Sequence, residues 1–216
     1  MSNREREVFD RSRISLRRMR RFFSRRPHFI DLYRFARRAE AKAFSLASAG
    51  SFAHFGSRSV IEPPLRVWGE DRISIGDDVF VGAGSWLQAF DAESASIEIG
   101  DGTSIAGSCV LSAAVSIRIG KRVLLARNVY IADHMHGFDS ASFAVLDQGI
   151  ERRGPVEIGD GAWLGQNVVI GPGVRIGSGA VIGANSVVLD DVPDRAVAVG
   201  APARVIRLLD GAQAPS

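Results

Sequence analysis

The chain has 216 residues, 24% of them charged, with a formal net charge of +3, 23 glycines and one cysteine. That length suits one domain with a sizeable core, and the lone Cys109 reads as a packing residue rather than a nucleophile or metal ligand. No apolar run reaches the ~18 residues of a membrane-spanning helix, and no hydrophobic stretch follows the basic start as a secretory signal requires, so the expected location is cytoplasmic.

The charge is unevenly spread. Residues 1–50 hold 14 of the 27 Arg and Lys but 5 of the 24 Asp and Glu, which makes this stretch +9 and the remainder −6. Within it Val8, Ser12, Leu16, Met19 and Phe23 line one side of a helical wheel with arginines around them. That is the pattern of a basic amphipathic helix at an anionic membrane surface, and equally of a solvated tail. Arg20-Arg21-Phe22-Phe23 is a poor twin-arginine signal, because Asp31, Arg34, Arg37 and Arg38 charge the stretch that would have to be apolar. No nucleic-acid recognition motif accompanies the basic charge, so no nucleic acid is expected. After Pro27, the residues Phe29, Leu32, Tyr33, Ala36, Ala43 and Ala47 predict a second helix that ends at Gly50 and caps the open end of the repeat region beginning near residue 55.

From about residue 55 to 193 an aliphatic residue returns every sixth position, as in Ile158, Leu164, Ile170, Ile176, Ile182 and Val188. The same phase runs through Ile75, Val81 and Leu87, through Ile99, Ile105 and Leu111, and through Ile119, Leu125 and Ile131. Helices repeat at three to four and strands at two, so a sustained six predicts short parallel strands stacked as a triangular prism. A second, smaller inward position recurs at Val79, Ser85, Thr103, Cys109, Val123, Val129, Ala162, Val168, Val174, Ala180 and Ser186. Each buried aliphatic contributes roughly 1.5–3 kcal/mol, realised only while the coils stack on one another. Gly76, Asp77, Gly120, Asn128, Gly171, Gly173 and Asn185 crowd the corners, where the expectation is that they supply unusual backbone angles.

Coils starting at Phe55, Ile75, Ile99, Ile119 and Ile158 are 20, 24, 20, 39 and 18 residues long. Each excess over 18 can be placed after the third flat of its coil, which predicts one elaborated edge. The largest insertion, 132–157, opens with Asp133-His134-Met135-His136. Long loops in a compact repeat domain usually carry function.

Three segments carry a family resemblance: Arg127-Asn128-Val129 followed by Asp133-His134, Pro155 through Gly165, and Gly200-Ala201-Pro202-Ala203-Arg204-Val205-Ile206-Arg207. Over residues 55–207 the chain resembles the left-handed parallel β-helix (hexapeptide-repeat) acyltransferases, in particular the maltose/galactoside and exopolysaccharide O-acetyltransferase-like branch. The resemblance implies an all-β left-handed prism, a homotrimer, and transfer of an acetyl group from acetyl-CoA to a hydroxyl, with no metal expected. It places His134 as the general base, with His136 as its rival in the same loop. A sugar hydroxyl becomes a good nucleophile only as its proton leaves, and imidazole titrates in the range that suits this task.

For the coenzyme, the resemblance points to Trp163 on the pantetheine arm, Gly165 and Gln166 near the thioester, Ala184 as a backbone contact, and Arg204 and Arg207 at the phosphates. Leu189-Asp190 replace the Thr-Lys pair common in the sugar acetyltransferases, and Ala106 stands where many relatives carry Asn. Trp86, Gln88, Phe90 and Asp91 lie along the elaborated edge before His134, and an aromatic ring beside amide and carboxylate groups suits a saccharide; Asp133 is a further catalytic or substrate-contact candidate. The expected acceptor is therefore a sugar, glycan or lipid-linked saccharide, with the protein peripheral at the inner membrane face through residues 1–26. An antibiotic acceptor, a γ-carbonic-anhydrase-like metal site and a non-catalytic trimeric scaffold are the alternatives. The chain divides accordingly into 1–54, a basic helical arm and cap, and 55–216, the catalytic prism and its tail.

Overall fold

The protein is described by a computed structural model covering residues 28–90 and 95–209. Three sheets form the walls of a triangular parallel β-helix. The first face stacks His54–Phe55, Ile73–Ile75, Ser96–Ile99, Ser116–Ile119, Val156–Ile158 and Arg175–Ile176. The second stacks Val60–Ile61, Phe80–Val81, Ser104–Ile105, Leu124–Leu125, Trp163–Leu164, Val181–Ile182 and Ala196–Gly200. The third stacks Arg66–Trp68, Trp86–Ala89, Val110–Ala113, Tyr130–Ala132, Val169–Ile170 and Val187–Val188. Six coils are complete, and a seventh begins where Val192 bridges Ile176 and Ala196–Gly200 pairs with Val181–Ile182. The chain then folds back antiparallel as Ala203–Leu208 and covers the end of the second face.

The sixfold period is the axis of the molecule. Ile61, Val81, Leu87, Ile105, Leu111, Leu125, Ile131, Leu164 and Ile170 are fully buried. The smaller inward positions are closed too: Ser85 Oγ donates to Gly82 O at 2.8 Å and Thr103 Oγ1 to Gly120 O at 2.8 Å, so these hydroxyls enter the core satisfied. Cys109 is wholly buried, with Sγ 3.2 Å from Ala126 O, and burial pushes its thiol up to about 11. It is a core residue.

The corners work differently from the expectation. Asn128 and Asn185, at 61° in both, and Gly173, at 75°, do adopt positive φ, but at the first corner the left-handed residues are Arg58, Asp78, Gly102, Arg122, Gly161, Gly179 and Arg195. Gly76 and Gly120 have ordinary angles and are small for another reason. A Cβ on Gly76 would lie 2.9 Å from the Asp101 nitrogen, and one on Gly120 2.8 Å from the Asp160 nitrogen, both in the next coil. Coil-to-coil contact, not backbone freedom, fixes glycine there.

Helix α1 spans Phe29–Ser48 and lies against the second face of the first coil. The Ile61 amide donates to Ser45 Oγ at 2.8 Å, and Arg37 Nη2 donates to Pro63 O at 2.9 Å. The helix is where the sequence places it, but its docked face is Arg37, Ala41, Phe44, Ser45 and Ser48. Phe29, Leu32 and Tyr33, expected to face the prism, are exposed, as is Leu46 at 78%. The hydroxyl of Ser45 selects this rotation because it supplies the acceptor that the edge strand's Ile61 amide otherwise lacks. The predicted arm, residues 1–26, lies outside the described residues. Among the described residues no helix is long and apolar enough to cross a membrane.

Candidate active site

Every insertion in the described chain leaves from the corner after the third face, as the coil lengths predict. The first is the short helical turn Glu70–Arg72, and the largest is a hairpin in which His134–His136 pairs antiparallel with Ile150–Arg152. The hairpin is tied to the prism by Asp133. Its carboxylate is fully buried and accepts the amides of Ala114 at 2.7 Å and Val115 at 2.8 Å, at the turn between two coils. The same carboxylate lies 3.1 Å from His134 Nδ1. With Nδ1–H directed at Asp133, Nε2 is the nitrogen that can take a proton.

The His134 ring meets Phe90 in a T-shaped contact, centroids 4.9 Å apart and planes at 78°. Carboxylate on one side and aromatic wall on another hold one orientation of the imidazole, whose side chain is 10% exposed. His136 stands two residues on along the same strand but exposed, without this framework. Of the two rivals, His134 alone has the geometry of an oriented base.

The acceptor candidates divide. Gln88 lies on the outer side of the third face, with its Oε1 3.5 Å from Ser112 Oγ. Trp86, one row nearer the second face, is partly covered by the Arg66 guanidinium stacked 4.8 Å above its ring. Asp91 lies outside the described residues. Sequence reasoning passed over Phe90 as a partner of His134, and it passed over Trp68 altogether. Aligning coils by their lead residues puts Trp68 in register with Gln88, and that signal was available.

The coenzyme candidates are grouped on the second face. Trp163, 49% exposed, is in register with Val181, then Val197, then Arg207. The register slip between Val197 and Ala198 lets Arg204 and Arg207, three apart, share the side that carries Val197 and Val199. An aromatic ring, two valines and the Arg207 guanidinium therefore run in one line, with Arg204 beside it in register with Val199 and paired to Asp190 at 3.2 Å. Gln166 and Ala184 are exposed at the adjoining corner. Gly165 is buried beneath the next coil, where a Cβ would come within 2.6 Å of the Ala184 nitrogen, so its smallness is required by stacking.

The first face is built otherwise. Its outward residues Glu98, Arg118, Glu157 and Arg175 alternate in charge across register, with Arg118 Nε 3.3 Å from Glu98 and Arg175 Nε 4.0 Å from Glu157. At its margin the hydrogen bond from Lys121, 2.9 Å away, holds the Asp101 carboxyl below its ordinary range. This face is self-neutralised surface. Among the described residues no group of three His, Cys, Asp or Glu is placed to hold a metal ion.

Comparison with known proteins agrees with this architecture. The bacterial transferase hexapeptide (six repeats) model matches residues 155–190, and the model for the hexapeptide repeat of succinyl-transferase matches 72–113. WbbJ of Escherichia coli, named for O-acetyl transfer in lipopolysaccharide biosynthesis, is 32% identical over 154 residues, covering 68% of this chain and 78% of that protein. A Mycobacterium tuberculosis protein named as an acetyltransferase is 35% identical over 136 residues, 63% of this chain but 44% of its own length. A hexapeptide-repeat acetyltransferase of Vibrio cholerae, crystallised with acetyl-CoA, is 29% identical with a TM-score of 0.57, covering 79% of this chain and 78% of that one. The chain belongs to the hexapeptide-repeat acyltransferase family.

Proposed function

We propose that the protein transfers an acetyl group from acetyl-CoA directly to a hydroxyl of a sugar or glycan, with His134 as general base. The observation that carries this reading is the oriented His134, with Nδ1 on buried Asp133 and the ring in T-shaped contact with Phe90. As the acceptor oxygen attacks the thioester carbonyl, its proton passes to Nε2. The carbon–sulfur bond then breaks, and the departing CoA sulfur takes that proton to leave as the thiol, returning His134 neutral. Trp163 and Val181 would hold the pantetheine arm, and the Arg204 and Arg207 forks would bind the coenzyme's phosphates. The Vibrio relative's complex with acetyl-CoA supports this coenzyme.

Within one prism the Trp163 line and the His134 hairpin lie on different sides, with the third face between them. The second face carries an outward row of Val60, Phe80, Ser104, Leu124, Trp163 and Val181, apolar but for the serine, and the third carries Trp86, Val110, Tyr130, Val169 and Val187. Packing the second face of one copy on the third face of the next closes a ring of three and sets one copy's Trp163 line beside its neighbour's His134. The charged first face then faces water.

The acceptor reading draws on WbbJ, whose name is tied to lipopolysaccharide. A lipid-linked glycan at the inner face of the membrane fits the basic stretch 1–26 and the exposed apolar side of α1 next to it in the chain. Deleting residues 1–26 is expected to weaken binding to anionic vesicles in a salt-dependent way while turnover on a soluble acceptor changes little. Equal vesicle binding by both proteins counts against the membrane role. The function itself is tested by thiol release from acetyl-CoA with glycan, aminoglycoside and phenicol acceptors: release that depends on a glycan hydroxyl supports it, and release with only the antibiotics refutes the sugar acceptor.

A further inference from the structure

The third face carries two outward rows. The row nearer the second face begins with Arg66, is apolar from Trp86 onward, and is the one a neighbouring copy would cover. The other row, toward the corner that bears the hairpin, reads Trp68, Gln88, Ser112 and Ala132 in register across four successive coils, and the chain runs from Ala132 directly into Asp133 and His134. Trp68 begins this line 66% exposed. Most tryptophans bury more of their ring, and Trp86, one coil on, has an arginine stacked on it.

We infer that Trp68 is a stacking platform for a distal unit of an oligosaccharide acceptor, so that the enzyme acts on a linear glycan of at least four units rather than on a free monosaccharide. This rests on the sugar-hydroxyl reading above. Parallel strands lie about 4.8 Å apart, so Trp68 stands about 14 Å along the prism from the coil that carries His134. One coil advances by about the length of one hexose unit. A glycan with its reacting unit at His134 runs over the buried Ser112 and Ala132, passes the half-buried Gln88, whose amide meets sugar hydroxyls, and reaches the indole with its fourth unit. The apolar C–H face of a pyranose matches a flat indole, and the hydroxyl edge of the preceding unit matches the Gln88 amide. The line thus measures acceptor length.

The test compares kcat/KM for the maltose, maltotriose and maltopentaose series and the matching chito-oligosaccharides, using the full chain with acetyl-CoA. In the native protein, efficiency is expected to rise once the acceptor has four units, between maltotriose and maltopentaose, and then level off. Trp68→Ala should lower the ratio of long-acceptor to short-acceptor efficiency about five- to tenfold, and Trp68→Phe, which keeps a flat ring, should restore most of it. No dependence on chain length, an unchanged ratio in Trp68→Ala, or a change of oligomeric mass in that variant would each overturn the inference, the last because it would assign Trp68 to subunit packing. Failure of the underlying reading looks different: no saccharide of any length is acetylated, whereas failure of this inference alone leaves saccharides acetylated irrespective of length.

Discussion

Replacing His134 with alanine is expected to slow acyl transfer by about 10²–10⁴-fold while fold and coenzyme affinity persist. The ring sits on a hairpin outside the stacked core, so its loss removes no buried aliphatic layer and leaves the Trp163 line intact. The effect should fall on kcat, because proton removal from the hydroxyl is needed in the transition state and not for binding either substrate. His136→Ala should be far milder, since that side chain is exposed and lacks the Asp133 and Phe90 contacts. Steady-state rates of thiol release, with coenzyme binding followed by Trp163 fluorescence, separate the two variants. An inactive His136 variant beside an active His134 variant would reassign the base.

Asp133→Ala is expected to damage both stability and turnover. The carboxylate is fully buried and accepts two backbone amides, so its removal strands the Ala114 and Val115 donors at about 1–3 kcal/mol each. It also frees the imidazole to rotate and to place its proton on either nitrogen, a loss on the scale of about 10- to 100-fold for an orienting partner. Asp133→Asn keeps the shape but presents an NH2 to one of two groups that are themselves donors, so it should recover part of the stability and little of the rate. Thermal unfolding and amide exchange at Ala114 and Val115 report the structural half, and kcat reports the other. Full activity in a destabilised Asp133→Ala protein would limit the residue to a structural tie.

The prism was legible because its signal is repeated. Each lead such as Ile105, Leu125 or Ile170 has equivalents a coil away, and the buried column they predict is the one observed. The elaborated edge was legible for the same reason, as arithmetic on coil lengths. What escaped depends on single contacts across coils. Composition marks a corner but not whether Gly76 or Asp78 takes the left-handed angle, which turns on how closely the next coil approaches. For α1 the wheel favoured Phe29 and Leu32, yet one hydroxyl, Ser45, answering one edge amide set the rotation.

The site follows the same rule. His134 stands out as the candidate base by its place at the start of the longest insertion and by resemblance. The burial of Asp133 was not, because its partners are backbone amides of Ala114 and Val115, which leave no mark on side-chain identity. Phe90 and His134 are separated by two coils of chain and meet only because the insertions share one corner. Trp68 and Trp86 look alike in sequence; Arg66 across the coil covers one of them.

The measurement closest to the central claim is identification of the product formed from acetyl-CoA and an oligosaccharide, by mass spectrometry before and after mild alkali. The account predicts a saccharide heavier by one acetyl group, formed with an equal amount of free CoA, reverting to the starting sugar in alkali as an ester does, and nearly absent with His134→Ala. Coenzyme consumed without any acetylated sugar, or an alkali-stable amide formed on an amine acceptor instead, would contradict it.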